Sequence, residues 1–493
     1  MQEKERALNF QDWIARAYPE LTTENRKKVK ATPGDPDGSL HSMASSLTFQ
    51  VTDACNLACK YCYQINKGKR TMPFEVAKLY IDKALSGEDG FREYLGPSPA
   101  VILEFIGGEP FLEIDLIDKV VDYFREQTIR LNHPWAQRYM LSICSNGVLY
   151  KDPKVQHFLQ KNFGHISFSV TVDGTKELHD SQRVFPDGSP SYDLAHAAAM
   201  DWRGRGYYMG SKITIAPGNV KYLHDCITQM VEDGYTEINA NCVYEKGWTV
   251  QDATELYNQI KEISDDIEAK GIDKGSISVS LLDKAYNRPM DESDDRNWCG
   301  GVGLMLSCDP DGRLFPCIRY MESSLGTDQK PLMIGDVWNG IGKREKEKEC
   351  ISCMHCVTRH SQSTDQCFYC PVAMGCAWCS AYNYQVNGTI NKRVTFNCDV
   401  HKATGLGAVY YWNSYYKQHQ INRHYDMWCP KEWAVPIIGE EEYDRLAKLT
   451  ESVGGYVNYD QTEVHGYKTP QNLPEDETVK REETKIEGEM LWE

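Results

Sequence analysis

The stretch Cys55-Asn56-Leu57-Ala58-Cys59-Lys60-Tyr61-Cys62 places three cysteines close together, shortly after an extended apolar run from Leu47 to Val51. Three thiolates this close in sequence can hold three irons of a cubic four-iron cluster, which needs four ligands for full protein ligation. The fourth iron is then free to bind another molecule, and an open coordination position is what catalysis at a metal requires. A zinc site is the alternative interpretation of the same spacing.

The composition limits the kinds of partner. A chain of 493 residues exceeds one ordinary domain, so we expect two or three. The net charge of −17 argues against nucleic acid or an anionic membrane surface as a partner. The start from Met1 to Arg6 lacks the apolar core of a signal peptide, and no apolar run approaches membrane-spanning length. These features predict a cytoplasmic protein that binds neither nucleic acid nor membrane.

The number of cysteines indicates metal binding. Eighteen cysteines in a chain without an export signal favour metal ligation over disulfides, because the cytosol is reducing. Twelve of them lie between Cys299 and Cys429, far from the first group. We therefore expect a second metal-binding region in the C-terminal half.

Strand-like and helical patterns alternate from residue 46 to about residue 245. The predicted strands cover residues 47–52, 100–106, 140–145, 165–172, 210–216 and 236–243. Six strand–helix units predict an α/β fold with a parallel sheet, curved into an open, partial (β/α)6 barrel. Chemistry in such barrels lies at the C-terminal ends of the strands.

Polar motifs follow three of these strands. Gly107-Gly108-Glu109-Pro110 combines glycines that allow close backbone approach with a carboxylate that can bind an ammonium group. Ser145-Asn146-Gly147 ends the third strand. Thr171 ends the fourth strand, and Arg183 lies on the next helix with the fork geometry that suits a carboxylate.

Together these residues resemble the radical S-adenosylmethionine (SAM) enzymes, whose signature includes an aromatic residue where Tyr61 stands. The resemblance implies that Cys55, Cys59 and Cys62 hold a [4Fe-4S] cluster whose open iron binds SAM. Reduction of that cluster cleaves SAM to methionine and a 5′-deoxyadenosyl radical. The resemblance also implies a set of SAM-binding residues: Tyr61, Gly107, Gly108, Glu109, Ser145, Asn146, Thr171 and Arg183.

The later cysteines resemble the SPASM extension of radical SAM enzymes, which holds two auxiliary [4Fe-4S] clusters. Its first part is a predicted hairpin with the turn Asp309-Pro310-Asp311-Gly312, followed by Cys317. The resemblance implies an outer cluster on Cys367, Cys370, Cys376 and Cys398. It implies an inner cluster on Cys299, Cys317 and Cys379.

The pattern departs from that family in three places. The spacing from Cys376 to Cys379 is one residue shorter than the usual pattern. The inner group lacks a fourth cysteine, so its cluster either keeps an open iron that can bind a substrate thiolate or is closed by Cys308. Cys350, Cys353 and Cys356 form an additional C-x-x-C-x-x-C motif. These three cysteines rearrange the cluster ligation, bind zinc or act in redox chemistry, and the sequence does not choose between these roles.

The predicted function is peptide maturation. We expect a radical SAM peptide maturase that removes a hydrogen from a ribosomally made precursor peptide and forms an oxidative cross-link, either a thioether or a carbon–carbon bond. The expected partners are the precursor peptide and an electron donor such as ferredoxin or flavodoxin. Alternatives are a sulfatase- or quinohemoprotein-maturase-like enzyme acting on a protein, a peptide epimerase, and a zinc-stabilised interaction protein. In sulfatase-maturing relatives an Asp follows the hairpin cysteine; Ile318 stands there and weakens that alternative.

We expect the chain to divide into six segments. They are an N-terminal helix and linker (1–45), the radical SAM partial barrel (46–245), a helical connector (246–297), the SPASM domain (298–402), an aromatic-rich helical region (403–467) and a disordered tail (468–493).

Overall fold

A parallel sheet forms the centre of the molecule. The computed structural model describes residues 44–96, 98–207, 209–284, 288–290, 295–297, 299–301, 305–326 and 329–459. Predictions for residues 1–43, which include the N-terminal helix, and for the tail from residue 468 lie outside these ranges. The strands of the first half are β1 (Ala44–Thr52), β2 (Ala100–Gly107), β3 (Tyr139–Ser145), β4 (Ile166–Val170), β5 (Ser211–Ile215), β6 (Glu237–Cys242) and β7 (Ser278–Val279). The six predicted strands and the α/β fold class are confirmed.

Helices connect and cover these strands. They are α1 (Phe74–Ser86), α2 (Phe91–Leu95), α3 (Ile114–Arg130), α4 (Pro153–Lys161), α5 (Lys176–Gln182), α6 (Tyr192–Gly204), α7 (Leu223–Glu232), α8 (Val250–Ala269), α9 (Glu345–Cys356), α10 (Asp365–Phe368), α11 (Ser380–Asn387), α12 (Cys398–Gln418), α13 (Lys431–Ile438) and α14 (Glu440–Ser452). The apolar stripe predicted in the connector, from Leu256 to Ile267, is buried on α8. This helix packs on α12, where Gly407 leaves room for Ile260.

The six barrel strands divide between two sheets. Strands β1 to β4 are parallel neighbours in one sheet, whereas β5, β6 and β7 form a separate parallel sheet. The chain leaves the first sheet after β4 and turns at Gly174, which has a φ of 70°. A side chain there would meet Cys226 of α7. Because this turn carries the chain away from the edge, β4 ends at Val170 and does not pair with β5.

The predicted hairpin of the cysteine-rich region joins the barrel sheet. Strands β8 (Met305–Cys308) and β9 (Arg313–Phe315) are antiparallel, and β8 also pairs in parallel with β1. Two short strands, β10 (Gly335–Asp336) and β11 (Gly340–Ile341), complete this edge. The hairpin and the first cysteine loop are therefore attached to the same strand, β1.

An ion-pair network strengthens this attachment. Arg70 pairs with the buried Asp53 at 2.6 Å and reaches Asp311 of the hairpin turn at 2.5 Å. Arg313 pairs in the same network with the buried Asp309. Because both buried carboxylates are neutralised, the network can hold the cysteine-rich region at a fixed place on the barrel. Within the described residues, no helix has the length and apolar character needed to span a membrane.

Candidate active site

Cys55, Cys59 and Cys62 lie on a loop directly after β1, where the C-terminal ends of the barrel strands meet. The sulfur of Cys55 accepts the backbone N–H of Leu57 at 3.4 Å. Burial raises the pKa of the Cys55 and Cys59 thiols, and neighbouring cysteines of the loop add to the rise. The structure therefore brings these cysteines together in a half-buried group whose thiolates need a positive partner.

Two backbone hydrogen bonds anchor the loop on the end of α5. The N–H of Ala58 donates to the carbonyl of Val184 at 2.7 Å, and the N–H of Lys60 donates to the carbonyl of Gln182 at 2.9 Å. These two carbonyls flank Arg183, so the cysteine loop and this arginine are held together by the main chain.

Gly107 and Gly108 allow the loop after β2 to lie directly against the cysteine loop. The N–H of Glu109 donates to the carbonyl of Ala54 at 2.9 Å. A Cβ on Gly108 would lie 2.2 Å from the oxygen of Ala54 and 2.7 Å from the Cβ of Cys55. No side chain fits there, and this contact is the physical reason for glycine in the motif.

Replacing Gly108 by alanine is expected to displace the cysteine loop. The colliding atoms are mainly backbone, so the loop must move and the three thiols lose their common position. We expect Gly108→Ala to lose about four irons per chain, the content of one cubane. Iron and sulfide analysis after anaerobic purification measures this loss.

Gly204→Ala is the matched control, because a Cβ at Gly204 on α6 meets no atom within 4 Å. Wild-type iron content in Gly108→Ala would contradict the role given to this contact.

Glu109 links the ends of β2 and β3 through side-chain hydrogen bonds. Its carboxylate is 1% exposed and accepts the hydroxyl of Ser145 and the N–H of Asn146, each at 2.8 Å. Burial raises the pKa of Glu109, and these donors oppose the rise. Asn146 in turn donates to Asn56 at 2.6 Å and lies 3.9 Å from the sulfur of Cys55. The predicted residues of both motifs therefore meet beside the cysteine loop.

Arg183 is the central cation of the site. It is 8% exposed and donates to the hydroxyl of Tyr61 at 2.8 Å. Tyr61 donates to Asp173, which is 1% exposed. Burial raises the pKa of Asp173, whereas Arg183 lowers it. The Nε of Arg183 and the Oδ1 of Asp173 are buried without a hydrogen-bond partner in the structure.

Asp173 was not among the predicted site residues. It stands in the stretch Thr171-Val172-Asp173-Gly174, two residues after the predicted Thr171. Thr171 itself lies at the strand end, with its hydroxyl 3.4 Å from the sulfur of Cys144. The sequence indicates Asp173 only as an acidic residue near a strand end. Its hydrogen bond with Tyr61 is visible only in the folded structure.

The buried His179 forms hydrogen bonds that hold the backbone around Arg183, Tyr61 and Asp173. Its Nδ1 accepts the N–H of Asp173 at 3.2 Å, and its Nε2 faces the hydroxyl of Ser191 at 3.1 Å. That hydroxyl donates to the carbonyl of Arg183 at 2.6 Å. Since Nδ1 must accept, the imidazole has to stay neutral, and burial lowers the pKa of His179 to about 3.

Stability is expected to fall in mild acid because of His179. Above its ordinary pKa of 6.5 the imidazole is neutral in both states. Between 6.5 and about 3 the unfolded chain binds a proton there that the folded chain does not, so the free energy of unfolding decreases as pH falls. The decrease from pH 7.5 to 5.5 is about 1.4 kcal/mol for this group.

Urea unfolding at both pH values measures this effect. His179→Gln should lose about 1.4 kcal/mol of the wild-type pH dependence. His157→Gln, at an exposed histidine on α4, should retain it. Equal pH dependence in the two variants would contradict the assignment.

The inner cysteine group contains Cys299, Cys317 and Cys379. A Cβ on Gly301 would lie 3.0 Å from the sulfur of Cys317 and 3.6 Å from that of Cys299. Burial raises the pKa of Cys317, and Cys299 and Cys379 add to the rise. Arg319 lies beside this group and pairs with Glu245 at 3.3 Å.

The outer cysteine group contains Cys367, Cys370, Cys376 and Cys398. Burial raises the pKa of Cys370 to about 12 and of Cys398 to about 11, and other members of the group add to both shifts. The buried Cys429, to which the sequence assigned no role, lies near Cys370. The structure thus separates the later cysteines into the two groups that the resemblance implies; their ligand roles remain predictions.

The other candidate cysteines lie elsewhere. Cys308 is fully buried on β8 beside Tyr80, and Asp309 is its charged neighbour, so the structure does not bring it to Cys317. Cys350 is buried beside Tyr94, whereas Cys356, on the same helix α9, is exposed. Cys353, between them, is partly buried and lies near Cys356. The thiols of the additional motif therefore face different surroundings.

An open cavity of about 660 Å³ lies beside the first cysteine loop and extends to Arg319 and Tyr382, which neighbour the inner group. Tyr61 and Cys62 line one side, and Arg319, Tyr382 and Gln385 line the other. Arg319 lies over the rings of Tyr63 and Tyr382 at 5.3 and 5.9 Å. A molecule in this cavity would contact Cys62 of the first cysteine loop and Arg319, which lies near Cys379 of the inner group.

The residues present fit SAM and a four-iron cluster. Two glycines bring backbone against the cysteine loop, and Arg183 and Asp173 each keep a buried polar atom without a hydrogen-bond partner among the described residues. Each thiolate of a four-iron cluster binds a different iron, so its sulfur atoms stand farther apart than around one ion. Within the described residues, no three His, Cys, Asp or Glu side chains converge on a single-ion position. The fold and this site define a radical SAM domain.

Comparison with known proteins gives the same class. Residues 46–185 match the family described as "4Fe-4S single cluster domain". The chain is 24% identical over 289 residues to the radical SAM cyclopropyl synthase TigE of Paramaledivibacter caminithermalis, covering 54% of this chain and 56% of TigE. It is 26% identical over 151 residues to the serine-type anaerobic sulfatase-maturating enzyme of Bacteroides thetaiotaomicron, covering 29% and 32%.

The fold resembles that of native anSMEcpe solved with bound AdoMet and Kp18Cys peptide. The TM-score is 0.55 at 18% identity, over 77% of this chain and 98% of that one. The chain spans less than two thirds of the length of the curated relatives it matches. The matched family and the radical SAM relatives support a radical SAM protein with a cysteine-rich C-terminal region, one that uses SAM and iron–sulfur clusters.

Proposed function

We propose that this protein is a radical SAM peptide maturase. The 5′-deoxyadenosyl radical derived from SAM would take one hydrogen atom from a residue of a ribosomally made precursor peptide. An oxidative cross-link, a thioether or a carbon–carbon bond, would then form as a second electron passes to an auxiliary cluster and a proton leaves to solvent. The observation that supports this proposal best is the cavity between the two cysteine regions. Its volume of about 660 Å³ suits a short peptide segment, and its open form allows the rest of the peptide to extend outside.

The chain's own residues hold the reactants in this proposal. Cys55, Cys59 and Cys62 hold a cluster that, with SAM, supplies a 5′-deoxyadenosyl radical. Arg183 holds the SAM carboxylate through its unpartnered Nε, with Tyr61 and Asp173 fixing its orientation. The loop of Gly107 and Gly108 closes one side of the site.

The wall of the cavity orients the peptide. Tyr63 and Tyr382 provide flat apolar surface, and Arg319 and Glu245 provide one pair of opposite charges. Cys379 of the inner group lies near Arg319. A peptide residue held here is within reach of the SAM site on one side and the inner group on the other.

Oxidation of a protein partner, as in sulfatase maturation, is a second candidate because one relative carries that name. Ile318 follows Cys317 and supplies no acid to this position. Glu245 is a carboxylate on the cavity wall, but it comes from the end of β6 and is paired with Arg319. The local chemistry therefore favours the peptide cross-linking proposal.

Co-expression with short peptides encoded beside the gene tests the function. A cross-link removes two hydrogens from the peptide, whereas epimerisation leaves its mass unchanged. Gln385→Trp, which fills the cavity, should suppress the peptide product while SAM cleavage without peptide persists. Gln418→Trp, on the exposed end of α12, is the control. Purified protein with zinc and no sulfide would refute the proposal.

A further inference from the structure

Two buried arginines face the outer cysteine group. Arg359 is 3% exposed and Arg393 is 8% exposed. Arg393 donates to the sulfur of Cys376 at 2.8 Å and to its carbonyl oxygen at 2.7 Å. Arg359 donates to the same carbonyl at 3.4 Å and to the carbonyl of Ala373. Both guanidinium groups therefore hold the loop that carries Cys376.

The described residues place no carboxylate within ion-pair distance of these two guanidinium groups. Their electrostatic partners are cysteines of the outer group and each other. The Nε of Arg359 and the Nη1 of Arg393 have no hydrogen-bond partner. Trp378 lies beside both, with its ring centre 5.2 and 5.4 Å from the two guanidinium carbons.

Burying two guanidinium groups in this way lowers the free energy of unfolding unless the neighbouring sulfur atoms carry negative charge. A buried charge without a partner destabilises a fold strongly, and two like charges add repulsion. Four thiolates around a four-iron cluster carry a net negative charge that two guanidinium groups can offset.

We propose that Arg359 and Arg393 are positioning residues that neutralise the outer cluster and raise its reduction potential. Positive charge and hydrogen bonds to sulfur both favour the more negative, reduced form of a cluster. The charges around the inner group differ, because its nearby Arg319 already forms an ion pair with Glu245 at 3.3 Å. The inference rests on the proposed cluster assignment.

Redox titration followed by electron paramagnetic resonance tests the inference. Protein with Cys55, Cys59 and Cys62 replaced by alanine retains only the auxiliary clusters, which simplifies the spectra. In this background, Arg359→Gln and Arg393→Gln should each shift the outer potential to more negative values and leave the inner potential unchanged. Arg359→Lys and Arg393→Lys keep the charge and should shift it less. Arg445→Met, on the exposed surface of α14, is the control.

Each outcome decides the inference. An unchanged outer potential in both Gln variants would overturn it. If the Gln variants lose the outer cluster, retention of iron and sulfide by the Lys variants still supports charge neutralisation. Equal loss in Lys and Gln variants would show a purely structural role and overturn it. Zinc without sulfide in the wild-type protein would overturn this inference and the proposed function together. Intact iron–sulfur clusters with no cross-linked peptide would count against the proposed function alone.

Discussion

Replacing Cys55, Cys59 and Cys62 by alanine, singly or together, is expected to abolish SAM cleavage. The three cysteines form one half-buried group after β1, and the loop that carries them is fixed by main-chain hydrogen bonds to the residues around Arg183. With one thiolate missing, a cubane has too few protein ligands to keep its open iron in this position. Formation of 5′-deoxyadenosine from SAM and dithionite should fall to the level of a protein-free reaction.

Iron content separates this effect from unfolding. The triple variant should lose about four irons per chain, while the auxiliary groups keep theirs. Cys242→Ala is a suitable control, because Cys242 ends β6 and was assigned no ligand role. SAM cleavage by the triple variant at the wild-type rate would remove the assignment of this site.

Replacing Arg183 by methionine is expected to have the second-largest effect, on both SAM affinity and stability. Its Nε is buried without a partner, and we propose that it binds the SAM carboxylate. Loss of one or two charge-assisted hydrogen bonds costs about 2–4 kcal/mol, or about 30- to 1,000-fold in Kd. The same change leaves Asp173 buried without its cation, which costs about 3–5 kcal/mol of folding free energy.

A second substitution separates the two effects. In Arg183→Met combined with Asp173→Asn, no carboxylate remains stranded, so much of the stability should return. The SAM affinity should not return, because the guanidinium is still missing. Calorimetric titration with SAM and urea unfolding measure the two quantities. Recovery of affinity together with stability would show that Arg183 acts only on the fold.

The sequence predicted much of the site because its motifs lie at strand ends. Parallel strands put their C-terminal ends at one edge, so Cys55, Glu109 and Asn146 had to come near each other once the strands were recognised. The structure brings them together through direct hydrogen bonds. The helical connector and the hairpin were likewise predictable, since each depends on local periodicity or turn residues.

Other features depend on contacts between distant segments. The sequence contains Asp173 and Arg183 within one short stretch, but it does not show that Tyr61 lies between them. It also does not show that β4 and β5 separate at Gly174, or that β8 pairs with β1.

The sequence by itself indicated the class of protein, the first cysteine motif and the succession of strands and helices, because these follow from spacing and periodicity along the chain. Only the tertiary structure decided how the strands divide between two sheets, that Cys308 lies in the core, and that Arg359 and Arg393 converge on Cys376. The physical reason is that burial and charge balance are properties of the packed interior. Burial and charge balance are set only when segments that are far apart in sequence pack together and exclude water.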